Sequence, residues 1–190
     1  MEDLSLHILD IVENSLMAGA SLVSVAIEED LQDDRMAITV ADDGRGMEPG
    51  FLARVTDPFV TTRTTRRVGL GLSLMQANAR SWGGDLTVHS RPGEGTTVRV
   101  WFQRCHIDRP PLGDWPRTLF GLILTRQEVD FYYCHRVGEQ EFELDTRELK
   151  VELGAEALAD PQIMALLRGQ VVEVLGQMGV EQVPALPLEP

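Results

Sequence analysis

"VGLGLSLMQANARSWGGDLTVHSRPGEGTTVRVWF", residues 68–102, opens with two glycines, Gly69 and Gly71. They run into a segment whose Leu70, Leu74 and Ala77 recur at helical spacing, and Gly83-Gly84 close it. A glycine pair at the start of a helix frees backbone N–H groups to meet phosphate oxygens at the positive end of the helix dipole. Next come a strand over "DLTVHSR", a Pro-Gly turn, and a second strand opened by Gly95-Thr96 with Val98, Val100 and Phe102 turned inward. Two familiar phosphate loops fail to match. The third glycine of a dinucleotide fingerprint would fall on Leu74 and no strand leads directly into the loop, while a Walker loop needs a Gly-Lys-Ser/Thr ending.

Upstream, "DIVENSLMAGAS", residues 10–21, belongs to a helix expected from about Asp3 to Ala18. Leu4, Ile8, Leu9, Ile11, Val12 and Leu16 share one arc of its wheel; Asp3, His7, Asp10 and Asn14 fall within roughly 60° of one another on the other side. Taken alone, that polar stripe reads as a solvated face. "SLVSVAIEED" and "RMAITVADDGRGM" then alternate as half-buried strands, with Val23, Val25 and Ile27 in the first and Met36, Ile38 and Val40 in the second, joined by an acidic turn. The second strand stops at Asp42, a carboxylate able to accept from an exocyclic amine. Gly44 and Gly46 follow, where the missing Cβ lets a flat ligand lie against the backbone. An Asp-Gly pair by itself is more often a plain turn. A calcium loop is a poorer alternative, because the alternating acidic ligands and the Glu at the twelfth position are absent.

Composition narrows the function classes. The 190 residues suit one domain with a small appendage, and 43% hydrophobic content supplies a core. A net charge of −13 repels phosphate backbones and acidic membrane surfaces, so neither nucleic acid nor membrane is expected as a partner. The acidic N-terminus is unlike a signal peptide, and no apolar run reaches the roughly 18–20 residues that span a bilayer. A cytoplasmic location is therefore expected, in keeping with only two cysteines, Cys105 and Cys134.

"ENSLMAGA", "DDGRGM", "DPFVTTR", "VGLGLSL" and "GEGTT" follow one another in order. The series resembles the nucleotide-binding boxes of the GHKL superfamily, which joins gyrase, heat-shock chaperone ATPases, sensor histidine kinases and the mismatch-repair ATPase. The resemblance covers residues 1–104. "ENSLMAGA" is most similar to the mismatch-repair version, and the stretch from "DPFVTTR" onward to histidine kinases nearly residue for residue. It implies the Bergerat fold: an α/β sandwich whose mixed, mostly antiparallel sheet carries helices on one face, here with a small α+β C-terminal region.

Carried over by position, the resemblance implies ATP and Mg2+ as ligands. Asn14 corresponds to the Mg2+ ligand. Asp10 stands where hydrolysing members carry a Glu that orients the attacking water, and it is one methylene shorter. His7 is a second candidate base, or else a helix-surface histidine. Asp42 corresponds to the residue that selects adenine, with Gly44 and Gly46 admitting the base and Thr96, after Gly95, sharing a water with the carboxylate. Gly69, Leu70, Gly71 and Leu72 would face the phosphates. "DPFVTTRTTRRV" corresponds to a mobile lid. Its Thr61, Thr62, Arg63, Arg66 and Arg67 are candidate phosphate contacts, three cations within five residues of an acidic chain.

Residues 105–117 read as a linker, 118–180 as a small α+β domain of unknown role, and 181–190 as a frayed tail. "TLFGLILT", "DFYYCHR" and "QEFELDT" are expected as three strands, followed by an amphipathic helix that Pro161 opens. His106 makes a poor phosphoacceptor beside two prolines. Cys105-His106 and Cys134-His135 make poor zinc pairs, because neighbours in an extended chain point to opposite sides.

The chain begins directly at the Asn-bearing helix, so the dimerising hairpin of a sensor kinase is expected to be absent. Three functions stay open: a soluble protein kinase passing the γ-phosphoryl of ATP to a separate regulatory protein, an ATPase switch controlling a protein partner, and a nucleotide sensor without turnover. The kinase reading is placed first. A homodimer is left open.

Overall fold

In the computed structural model, which describes residues 3–57 and 70–180, α1 spans Leu4–Met17 with Asp3 as its cap. Asp3 Oδ1 accepts from the Leu6 N–H at 3.2 Å, meeting one of the donors that a helix start leaves unpaired. The arc of Leu4, Ile8, Ile11 and Val12 is buried, as its spacing requires. β1 (Leu22–Asp30) and β2 (Arg35–Asp42) follow, then the single turn α2 (Pro49–Leu52), α3 (Leu70–Ser81), β3 (Asp85–Arg91) and β4 (Gly95–Gln103). The second half adds α4 (Trp115–Thr125), β5 (Asp130–Val137), β6 (Gln140–Asp145), α5 (Thr146–Leu153), a 3-10 turn (Ala155–Ala159) and α6 (Pro161–Gln177). No described helix is long and apolar enough to cross a membrane.

The six strands form one mixed sheet in the order β3-β4-β2-β1-β5-β6. Every neighbouring pair is antiparallel except β1 and β5, which run parallel. Alternation assigns the faces. Val23, Val25 and Ile27 join Met36, Ile38, Val40, Val98, Val100 and Phe102 in the core under the helices, while Ser24, Ala26 and Glu28 line the open face. This is the α/β sandwich with a mixed sheet expected from the boxes.

One expected strand is a helix. "TLFGLILT" lies in α4, where Asp114 accepts from the Arg117 N–H at 3.0 Å, Pro116 sits in the first turn, and Leu119, Phe120, Leu122 and Ile123 turn inward. The Asp-Trp-Pro start is a helix entrance, and its spacing outweighs the local strand propensity. α4 is the crossover that a parallel return from β4 to β5 requires. The boundary expected near residue 105 therefore falls inside one continuous sheet, over one cluster that takes in Val100, Leu119, Tyr133 and Leu175.

The expected linker is anchored. Leu112 is buried, and Pro111 O and Leu112 O accept from the N–H groups of Leu4 and Ser5 at 3.0 and 2.9 Å, so this segment straps the first turn of α1. Gly113 has φ +80°, and a Cβ there would collide with the Asp3 carboxylate. Gly113→Ala should therefore strain its own backbone and dislodge the α1 cap together, lowering unfolding free energy by about 2 kcal/mol in a urea titration. A change below about 0.5 kcal/mol would show that the strap does not bear on the helix.

At the far end of β1 a polar chain enters the core. Tyr133 Oη lies 2.7 Å from His135 Nδ1, His135 Nε2 lies 3.0 Å from Glu29 Oε1, and Arg104 Nε donates to Glu29 Oε2 at 2.6 Å. It joins β5 to β1 and to the residue just after β4.

Candidate functional site

α1 and the end of β2 meet where "ENSLMAGA" touches "DDGRGM". The buried Ser15 hydroxyl donates to Asp42 Oδ2 at 2.7 Å, and the Gly44 N–H donates to Asp42 Oδ1 at 2.9 Å. One turn on, Ala18 O accepts from the Arg45 N–H at 3.0 Å, and Arg45 O accepts from the Gly93 N–H at 2.8 Å. The loop after β2 is thus pinned between the end of α1 and the β3–β4 turn.

The adjacent acids divide their work. Asp43 accepts from the N–H groups of Ser21 and Leu22 at 2.8 and 2.9 Å and from the Ser21 hydroxyl, tying the start of β1 to the loop. Partial burial pushes its carboxyl up, but those hydrogen bonds outweigh it and hold Asp43 below the usual carboxylate range. Asp42 stays half-buried at the strand end, on the helix-covered side.

The glycines here answer to neighbouring backbone as well as to any ligand. Gly46 has φ +66°, and a Cβ there would collide with the Arg91 carbonyl; at Gly95, with φ +90°, it would collide with the Asp42 carbonyl. Gly44 would bring a Cβ to 2.9 Å from Ala18 Cβ. Thr96 is the register partner of Asp42 on β4, and its buried hydroxyl lies 2.9 Å from Ser90 Oγ.

On α1, Asp10 is exposed and Asn14 half-buried, one turn apart. The start of α3 lies beside them: a Cβ built on Gly71 would stand 3.8 Å from Asp10 Oδ2. The buried face of α3 is Leu72, Met75 and Ala79, whereas Leu74 and Ala77 are exposed. Leu72 thus commits its side chain to the core and offers a site only its backbone. His7 is 8% exposed, not a surface histidine, because α1 has α3 and α4 as neighbours. Thr61, Thr62, Arg63, Arg66, Arg67 and Gly69 lie outside the described residues; Leu70 opens α3, and its side chain also lies outside the description.

Two groupings result, Asp42 with Gly44, Gly46, Gly95 and Thr96 at the end of β2, and Asp10 beside Gly71, one turn of α1 before Asn14. Ser15 is the link that sequence reasoning missed. A signal was present, since Ser15 sits one turn after Ile11 on the apolar arc, where a hydroxyl needs a reason.

The ATPase model described as histidine kinase-, DNA gyrase B- and HSP90-like matches residues 2–105, more than half of the chain. The chain belongs to this family. The sensor protein kinase FleS of Pseudomonas aeruginosa is 40% identical over 93 residues, 49% of this chain and 23% of that protein. Histidine protein kinase DivJ of Caulobacter vibrioides is 36% identical over 97 residues, 49% of this chain and 16% of that one. The chain thus spans less than a quarter of the length of either relative. A crystal structure of the N-terminal domain of a DNA repair protein shares the fold, with TM-score 0.55 and 15% identity over 76% of this chain and 52% of that one. That likeness covers a larger share of the chain than the matched segment does.

Elsewhere among the described residues, Cys134, Glu141 and Glu143 bring ligand-type atoms within 4.8 Å of one another. Glu141 is paired with Arg136, Glu143 accepts from Tyr132 Oη, and burial pushes the Cys134 thiol up, none of which favours a metal ion. Cys134 and His135 point to opposite faces, as their places in one strand require.

Proposed function

We propose that this protein binds Mg2+-ATP between α1, the loop after β2 and the start of α3, and passes the γ-phosphoryl group to a separate regulatory protein. The observation that carries the reading is the Ser15–Asp42 hydrogen bond, which joins the helix bearing Asp10 and Asn14 to the acceptor carboxylate that ends β2. Asp42 accepts the adenine 6-amino group. Its neighbours Ser15 and Gly44 occupy one acceptor position on each oxygen and leave the others for the base.

Asn14 would hold Mg2+ through its amide oxygen, the kind of hard donor this cation takes, and the ion would neutralise charge on the transferring phosphoryl group. Phosphoryl transfer asks the protein mainly for position and complementary charge, so no covalent nucleophile is needed. Asp10, exposed beside the start of α3, is the group in reach of an acceptor hydroxyl, imidazole or water. The kinase assignment draws support from the two protein kinases above.

Asp10 in that position also favours a second reading, an ATPase that switches a partner and is reset by hydrolysis. Incubation with γ-labelled ATP, Mg2+ and extract of the source cells separates the two. Label on a second protein supports the kinase; label in free phosphate alone replaces it with the switch. In either case Asp10→Asn should cut turnover at least about 100-fold with ATP affinity within about twofold. No turnover even in the native protein would reduce the reading to a nucleotide sensor.

A further inference from the structure

We infer that Ser15 is a positioning residue that makes the site selective for the 6-amino group of adenine. The inference rests on the adenine reading of Asp42 and adds the residue that makes that carboxylate selective. Ser15 is buried on the core side of α1, and of its neighbours Asp42 Oδ2 at 2.7 Å is much closer than Ile11 O at 3.4 Å. A hydroxyl has one proton to give, so it goes to the carboxylate. Gly44 N–H holds the other oxygen at 2.9 Å.

Two donors on opposite oxygens fix the plane of the carboxylate. A carboxylate is acceptor-only. An acceptor held in one orientation pairs with an amine and repels the carbonyl oxygen that guanine presents at the same place. Since Ser15 follows Asn14 directly, the helix that would hold the metal side also sets the base side. Rotation of α1 would move both together.

Two ligands separate positioning from general structural support: ATP, and purine riboside triphosphate, which carries hydrogen in place of the 6-amino group. Calorimetry on the full chain compares native protein with Ser15→Ala, and thermal unfolding without nucleotide confirms that the variant is folded. The native protein should bind ATP more tightly than the analogue. Ser15→Ala should lose about tenfold on ATP and less than about twofold on the analogue, because only ATP uses the oriented acceptor.

Equal losses on both ligands, or no loss on either, would overturn the role given to Ser15 while leaving Asp42 as the adenine acceptor. Equal affinity of the native protein for the two ligands would overturn the adenine reading itself, and this inference with it. Ser15→Thr retains the hydroxyl and should restore most of the preference for ATP. Failure of a folded threonine variant to do so would count against the hydroxyl as the agent.

Discussion

Asp42→Asn should lower ATP affinity about 100-fold and leave the fold intact. The substitution keeps size and shape, and the Asn oxygen can still accept from the Gly44 N–H, as Asp42 Oδ1 does at 2.9 Å. Its amide nitrogen then replaces Oδ2, where the Ser15 hydroxyl can rotate to become the acceptor. The protein therefore loses little. A ligand amine loses a charged acceptor and meets a donor, a penalty of about 3 kcal/mol, which corresponds to a factor of roughly 100. Calorimetry with Mg2+-ATP measures the affinity, and circular dichroism checks the fold. Unchanged affinity in a folded variant would remove adenine from this end of the cleft.

The second large effect is on stability. Glu29→Gln should lower unfolding free energy by about 3 kcal/mol, and with it the melting temperature by about 6–12 °C for a domain of this size. Glu29 carries two cationic or donor partners, and its side chain is only 6% exposed. Gln can still accept from His135, but it turns an N–H2 toward Arg104 and leaves the guanidinium without its carboxylate. Burial pushes the Glu29 carboxyl up, yet the hydrogen bonds and charges of His135 and Arg104 outweigh it, so the group lies below its ordinary value of 4.5. A lowered value in the folded state means that the stabilisation is complete above the unfolded value. It is lost as pH falls from about 4.5 through the folded one. Urea titrations from pH 7 to pH 3 should show a shallower acid decline in Glu29→Gln than in the native protein. Asp34, Asp43, Asp85 and Asp145, also held low by their hydrogen bonds, retain their share of the decline. Parallel curves would show that the network does not contribute through ionisation.

Much of the first half was legible because its signals are local. The α1 arc, the two alternating strands and the Pro-Gly hairpin each rest on spacing within about ten residues. The glycines could be seen but not fully explained. Gly46 and Gly95 were read from a ligand's point of view, and only the fold shows that Arg91 and Asp42 backbone carbonyls occupy the space their side chains would need. Ser15 and His7 escape a sequence reading because a helical wheel shows which residues share a side, not what is packed against it. The α4 segment reads as a strand because its aliphatic residues suit either state, and its Asp114–Pro116 entrance is the local signal for a helix.

By itself the sequence determined α1, β1, β2, α3, β3 and β4 and the order of the motifs, since hydrogen bonding and burial along a single helix or strand depend on near neighbours. Tertiary structure alone decided that β5 lies beside β1, that the segment 111–113 straps α1, and that Glu29 reaches His135 across 106 residues of chain. Those contacts come from which faces the collapsed chain can bury together, a choice made between distant segments for which no local spacing carries a record.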